Sequence, residues 1–382
     1  MLRSLKDIRW VVISFSICLA LMLYQTPYLN LGTITALASM GLTTIFLVFT
    51  LSKQGTRMSV PVSLVLFLLF STISTFANHI EPELWKVILQ ILFCVLMSSL
   101  RLTNKESTYF EWAFSLALTV YAVFIIRECS TNVARYYHGD IELFNTEFDP
   151  NYIAIPIVCA MILMLGNVLN KNKRVISGTL FAVMAVSLMY TASRGAFLGL
   201  ISGMSVVLYY SFFKGKGASR FFSIFLFAIL AYILVRYMFI NFEDATGRIT
   251  DVNNNDEIDN GRLAIWNLSF NKWLENPLFG FGIGGNYRII GVANHNTYVE
   301  VLFCTGLLGT ITFISFVVSL FKKAIKSSPV YLALMISLVI QIFFLDSLSN
   351  RCLWLLFTWM AMLPNNKAGF DTQKQTIARN RM

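Results

Sequence analysis

One histidine and a set of arginines carry most of the chemistry that this sequence offers. His295 stands in Asn294-His295-Asn296-Thr297-Tyr298, where a polar stretch runs into a strongly apolar one. If that apolar run is a helix, His295 sits at its first turn, where the positive end of the helix dipole disfavours imidazolium. A neutral imidazole near pH 7 is what a general base requires; the same place also suits a polar interfacial residue or a helix cap. Arg127, Arg194, Arg236 and Arg351 lie near the ends of apolar runs, and Arg135, Arg248, Arg262 and Arg288 in polar stretches between them. Taken singly, each is explained by snorkelling or by pairing with Glu128, Asp244 or Asp346. Several converging on one cavity would instead hold an anion, because guanidinium grips phosphate through a two-pronged fork. Glu300 lies deeper in the apolar run, as a proton carrier or as a hydrogen-bonded structural group. His79 and His138 have less structured surroundings.

Composition says what must hold these groups. Of 382 residues, 56% are hydrophobic and only 13% are charged, against roughly 25% charged in a soluble domain. The expected fold is therefore all-α, a polytopic transmembrane bundle of about twelve helices. A helix needs about 20 apolar residues to cross the hydrocarbon core. The candidate spans are 10–26, 30–52, 59–77, 84–100, 108–127, 151–169, 175–192, 195–213, 220–240, 296–321, 329–346 and 350–364, the last two also readable as a re-entrant pair. They make 1–365 a single integral-membrane domain, with 241–295 as a large outer loop and 366–382 as a cytoplasmic tail. Arg3, Lys6 and Arg9 precede the first apolar run and no small-residue cleavage site follows, so that run reads as a signal anchor. The six cysteines form no C-x-x-C pair and read as packing residues.

Charge assigns the sides. With the N-terminus inside, 20 of the 30 basic residues fall in cytoplasmic segments, beside only Asp7, Glu106 and Asp371 as acids. This is the positive-inside asymmetry. The net charge of +10 is thus topological, and nucleic-acid binding, which gathers charge on one surface, is not expected.

Two outer loops are long, 128–150 and 241–295. In the second, Leu263, Trp266, Phe270, Trp273 and Leu274 recur at helical spacing before Asn276-Pro277, which predicts an amphipathic helix on the outer membrane surface. Gly280-Phe281-Gly282-Ile283-Gly284-Gly285 precedes no Lys-Ser/Thr and is no phosphate loop; a mobile hinge is the expectation. Gly306 and Gly309 are expected to let a neighbouring helix approach. Asp251 to Asp259 lacks the glycine and closing glutamate of a calcium loop, so no metal site is expected there.

In order along the chain stand Asp149-Pro150-Asn151, Ser193-Arg194-Gly195, Gly261-Arg262 with Trp266, Asn276-Pro277-Leu278-Phe279-Gly280-Phe281-Gly282, His295-Asn296-Thr297-Tyr298-Val299-Glu300 and Gly306-Leu307-Leu308-Gly309. This series resembles the O-antigen ligase/polymerase family of bacterial inner-membrane glycosyltransferases over roughly 149–310, and is most like an O-antigen polymerase. The resemblance implies a C-type glycosyltransferase-like bundle, working without metal or cofactor on the periplasmic face. It implies a donor glycan on undecaprenyl pyrophosphate, membrane lipid as surroundings and a chain-length regulator protein as a partner. It further implies His295 as the base and Arg194 and Arg262 as stabilisers of the leaving pyrophosphate, with Arg288, Arg351, Asn296, Tyr298 and Asn151 binding substrate. A ligase acting on lipid A core shares the motif set. A transporter of lipid-linked oligosaccharide is the reading of another class, but the internal repeat expected of one is missing.

Overall fold

A computed structural model describes residues 9–23, 60–78, 82–131, 141–143, 146–170, 173–191, 193–214 and 261–364, with isolated positions at 41, 43–45, 48 and 232. Apart from those positions, the expected spans 30–52 and 220–240 lie outside the described residues, as do loop residues 241–260, the tail 366–382, His79, His138, Arg135, Arg236 and Arg248. The elements are α1 (Trp10–Leu23), α2 (Val62–Asn78), α3 (Pro82–Met97), α4 (Asn104–Thr131), β1 (Ile141–Leu143), β2 (Thr146–Phe148), α5 (Pro150–Leu169), α6 (Arg174–Thr191) and α7 (Arg194–Lys214). They continue with α8 (Arg262–Trp273), α9 (Gly285–Ile289), α10 (Thr297–Ser327), α11 (Pro329–Gln341) with a 3-10 turn at Ile342–Phe344, and α12 (Arg351–Met362).

The architecture is all-helical, as composition demanded, apart from one antiparallel hairpin in which Glu142 faces Glu147. That hairpin occupies a segment for which only loop was expected. Among the described helices, five are long and apolar enough to cross a membrane: Asn104–Ser130, Pro150–Leu169, Arg174–Thr191, Arg194–Phe212 and Thr297–Ser327. At 13 and 12 residues, α11 and α12 reach only about 18–20 Å, short of a hydrocarbon core of about 30 Å.

Two helices are enclosed. In α5 every residue from Ile153 to Asn167 is buried, inside a ring of α4, α6, α7 and α11. In α12 every residue from Leu353 to Met362 is buried, against α1, α3 and α10. A helix apolar all round must be surrounded on all sides, and these two sequences are. Phe67 of α2 bridges the second group, with its ring 5.3 Å from Phe313 and 6.1 Å from Trp354. At the end of the bundle far from His295, Arg9 grips Glu106 with Nε and a second guanidinium nitrogen, each at 2.7 Å. There Arg101 and Lys323 donate to the Ala361 carbonyl, where the C-terminal end of α12 presents the negative pole of its dipole.

α10 is two helices joined at a break. Gly306 has φ +65 and ψ −168, a conformation open to glycine and costly for other residues. The carbonyls of Phe303 and Cys304, released by the break, accept from the N–H groups of Phe281 (2.9 Å) and Gly282 (2.8 Å). Beyond it, Leu307 N–H donates to Pro277 O at 2.9 Å. The Ser74 hydroxyl donates to Cys304 O (2.7 Å) and accepts from Gly282 N–H (3.0 Å), so α2 closes the same knot. Two expectations are corrected here. Gly306 admits not a helix but the backbone of Leu278 and Phe279, and Gly309 makes room for Thr305 of its own helix. The glycine run is no mobile hinge, since its N–H groups complete a broken helix.

Gly306→Ala should therefore abolish folding or lower stability by more than about 3 kcal/mol, because its Cβ would lie 2.4 Å from the Leu278 carbonyl carbon. Gly178→Ala, whose Cβ meets nothing within 4 Å, should be neutral or slightly stabilising. Thermal unfolding of purified protein compares the two.

Candidate functional site

Each predicted residue can be placed. Asn296 is the N-cap of α10: its side chain accepts from Tyr298 N–H (2.9 Å) and Val299 N–H (3.2 Å). His295 immediately precedes it in left-handed backbone, φ +50, which is uncommon outside glycine. That conformation is held by a carboxylate. Asp346 accepts from Asn294 N–H at 2.7 Å and from Asn296 N–H at 3.0 Å, and also from the N–H of His295 between them.

Asn294 is fixed on its other sides as well. Its carbonyl accepts from the Trp266 indole (2.8 Å), and its side-chain oxygen from the Ser269 hydroxyl (2.9 Å). Thr297 donates to Leu345 O at 2.6 Å and accepts from Ser347 N–H at 3.0 Å. Glu300 accepts from Leu348 N–H at 3.0 Å and from Ser347 N–H. Of the two readings of Glu300, the structure supplies the hydrogen-bonded one. Tyr152 of α5 donates to Asp346 O at 2.5 Å, and Tyr298 to Val339 O at 3.0 Å. Four elements thus hold one short segment: α8, α5, the head of α10 and the loop between α11 and α12.

The His295 side chain remains accessible on this scaffold. Its basicity is pushed below the ordinary imidazole value of 6.5, first by partial burial and then by the positive charge of Arg262, with Asp149 pulling the other way. Arg262 opens α8 and also acts electrostatically on Asp346. Arg194 opens α7 as an exposed side chain. Its neighbour Gly195 lies so close to Phe344 that a Cβ would meet the Phe344 Cβ at 3.0 Å, which sets the head of α7 against the turn leading to Asp346. Arg288, on α9, donates to Phe281 O at 2.9 Å. Arg351 is half-buried at the head of α12, after the capping residue Asn350. Asn151 donates to the Asp149 carboxylate through its N–H (2.8 Å) and its side-chain amide (2.9 Å). Among the described residues, no three His, Cys, Asp or Glu side chains converge as metal ligands.

The helix at 262–273 divides its apolar face. Leu263 and Phe270 of α8, with Leu274 just after it, are exposed. Trp266 turns to Asn294 and Phe343, and Trp273 donates to Pro277 O at 3.1 Å. Sequence reasoning missed the organising role of Asp346, having weighed it only as an arginine's partner. The available signal was an acid within Phe343-Phe344-Leu345-Asp346-Ser347-Leu348, where a charge without bonds would be expensive.

Fold and site together define a polytopic helical membrane protein that presents a histidine and arginines at one end of its bundle. Residues 179–314 match the model of the family described as O-Antigen ligase, which supports the chain's likeness to the O-antigen ligase/polymerase family over that segment. That match includes Arg194, Arg262, Arg288 and His295; Asn151, Asp346 and Arg351 lie beyond it. No curated protein matches the chain.

Asp346→Ala would strip the acceptor from consecutive buried N–H groups and should lower stability by roughly 1–3 kcal/mol. Hydrogen exchange should then quicken at the amides of residues 294–296 while those of α5 stay protected; unchanged exchange at 294–296 would contradict the role given to this carboxylate.

Proposed function

We propose that the protein is a surface-polysaccharide polymerase of the bacterial inner membrane, joining undecaprenyl-pyrophosphate-linked repeat units at its periplasmic end, with both termini cytoplasmic. The supporting observation is His295, kept accessible, held by the Asp346 carboxylate and made less basic beside Arg262. In this reading neutral His295 takes the proton of an acceptor sugar hydroxyl as its oxygen bonds to the donor's anomeric carbon. The bond from that carbon to the phosphate oxygen breaks, and lipid pyrophosphate leaves with the electron pair. Arg194 and Arg262 neutralise the charge that develops on it, with Arg288 and Arg351 further along the bound chain. Arginine suits this work because its fork keeps its charge at all relevant pH and bonds two phosphate oxygens at once. No metal is assigned to the step, and membrane lipid and a chain-length regulator are the proposed partners.

A ligase that passes finished glycan to lipid A core is the second reading, supported by the description that the matched family carries. An assay with purified lipid-linked repeat unit separates the two. Chain growth without lipid A core supports the polymerase, and product formed only when core is supplied supports the ligase. His295→Ala should lower turnover by about 10²-fold or more; lipid-linked oligosaccharide movement that survives this change, with no glycan transfer by the unaltered protein, would instead point to a transporter.

The pH profile has a fixed sign. The base works when neutral, so activity falls as pH drops through the His295 value, which lies below 6.5. Arg262→Gln removes a charge that lowers this value, so the acid limb should move to higher pH, accompanied by a fall in maximal rate. A limb that stays in place would show that Arg262 does not act on the base.

A further inference from the structure

At the end of the bundle far from His295, positive charge gathers that the described side chains do not balance. Glu106 has both carboxylate oxygens taken. Oε1 accepts from Arg9 N–H (3.2 Å) and Arg9 Nε (2.7 Å). Oε2 accepts from the second Arg9 nitrogen (2.7 Å) and from the N–H and hydroxyl of Thr103 (2.9 and 3.1 Å). Glu111, deeper in α4, is bonded by Tyr331. Arg9 and Glu106 thus cancel, but Arg101 and Lys323 have no such counterpart. Both are half-buried, and both converge on one carbonyl, that of Ala361 in the last turn of α12: Arg101 Nη1 at 2.9 Å, and Lys323 Nζ. Arg101 Nη1 also donates to Ser98 O at 2.8 Å, and Arg9 donates to the Arg101 carbonyl at 2.5 Å, which fixes the link between α3 and α4. Among the described residues no carboxylate pairs with Arg101 or Lys323. The end of α12 offers the two cations only about half a negative charge, and partly buried cations without an anion are costly.

The surroundings are those of a membrane interface. Trp10, next to Arg9, is exposed, as tryptophan is where a helix leaves the hydrocarbon for the headgroup layer. On α10, at about 100° per residue, Ile311, Ile314, Val318 and Ile325 form one exposed apolar stripe. Lys322 and Lys326, both exposed, stand between that stripe and Lys323. We propose that Arg101 and Lys323 form a binding site for the phosphate of an anionic phospholipid, seated between the α3–α4 link and the ends of α10 and α12, with an acyl chain along the stripe. The phosphate supplies the anion missing here. Guanidinium bonds two of its oxygens as a fork and the ammonium acts as a point charge, while Lys322 and Lys326 flank the headgroup. The lipid then clamps the last turn of the enclosed helix α12. In the topology proposed above this end faces the cytoplasm, and the site does not depend on the role given to His295.

Thermal unfolding of the full-length protein in a neutral detergent tests the site, with dioleoyl phosphatidylglycerol, dioleoyl phosphatidylcholine or inorganic phosphate added. Phosphatidylglycerol should raise the midpoint by about 3 °C or more, and the other two should leave it in place. Arg101→Gln and Lys323→Gln each remove one charge and keep an amide donor, and each should cut that shift by about half or more. Arg174→Gln, at the same end of the bundle but on α6, should keep it. An equal shift with phosphatidylcholine, or a full shift in both site variants, overturns the proposal. An equal shift with inorganic phosphate assigns the site to a soluble phosphate compound and overturns the lipid. If a site variant does not fold, native mass spectrometry of the unaltered protein from micelles mixed with both lipids decides. Preferential retention of phosphatidylglycerol supports the site, and equal retention of the two lipids overturns it.

Discussion

A broken helix inside a membrane bundle has to find partners for the backbone groups it releases, and most of this site follows from how that is done. At Gly306 the ladder of α10 is interrupted, and lipid offers neither donor nor acceptor. The segment 277–282 supplies the missing partners, and Ser74 and Thr75 of α2 anchor it through the N–H groups of Gly282 and Ile283, each at 3.0 Å. The path of the chain from α8 to α10 is set by this repair. Because 277–282 is pinned at the break, α8 is carried beside the head of α10, and Trp266 reaches Asn294. Arg262 comes near His295 as a consequence of backbone hydrogen bonding some distance away.

The second dependence runs through Asp346. Three consecutive N–H groups pointing at one carboxylate form a small anion-binding concavity of the kind that successive backbone amides make elsewhere. Here the anion belongs to the chain itself. It fixes the backbone that carries His295 and leaves the side chain accessible, the separation that the proposed role as a base requires. The rigid scaffold lies behind and the exposed imidazole in front.

Much of this was legible in the residues. Apolar runs around 150–169, 175–192 and 296–321 announced helices because burial in lipid leaves little choice of composition. Asn294 to Glu300 announced a capped helix start, since polar residues at the edge of such a run are expensive unless hydrogen-bonded. What stayed hidden depends on distance in sequence. Nothing near Asp346 says that its carboxylate closes on residues some fifty positions earlier, and nothing near Tyr152 says that its hydroxyl meets the Asp346 carbonyl. The glycine run misled for a related reason: glycine signals conformational freedom in the unfolded chain, but Gly280, Gly282 and Gly306 serve close backbone approach, which only the fold reveals. The weak apolar periodicity of 141–148 gave no sign of a hairpin, whose ladder is made by backbone alone.

The interruption at Gly306 also divides α10 mechanically. From Thr297 to Thr305 lies a short rod of about 14 Å, stopped at one end by the Asn296 cap and at the other by the knot with 277–282 and α2. The remainder, from Leu307 to Ser327, shows Leu307, Ile311, Ile314 and Val318 on its exposed side. Bilayers differ in thickness by several ångströms, and helices answer by tilting. A tilt of the Leu307–Ser327 piece would pivot at the break, while the Asn296 cap and the hydrogen bonds to 277–282 tie down the short rod that follows His295.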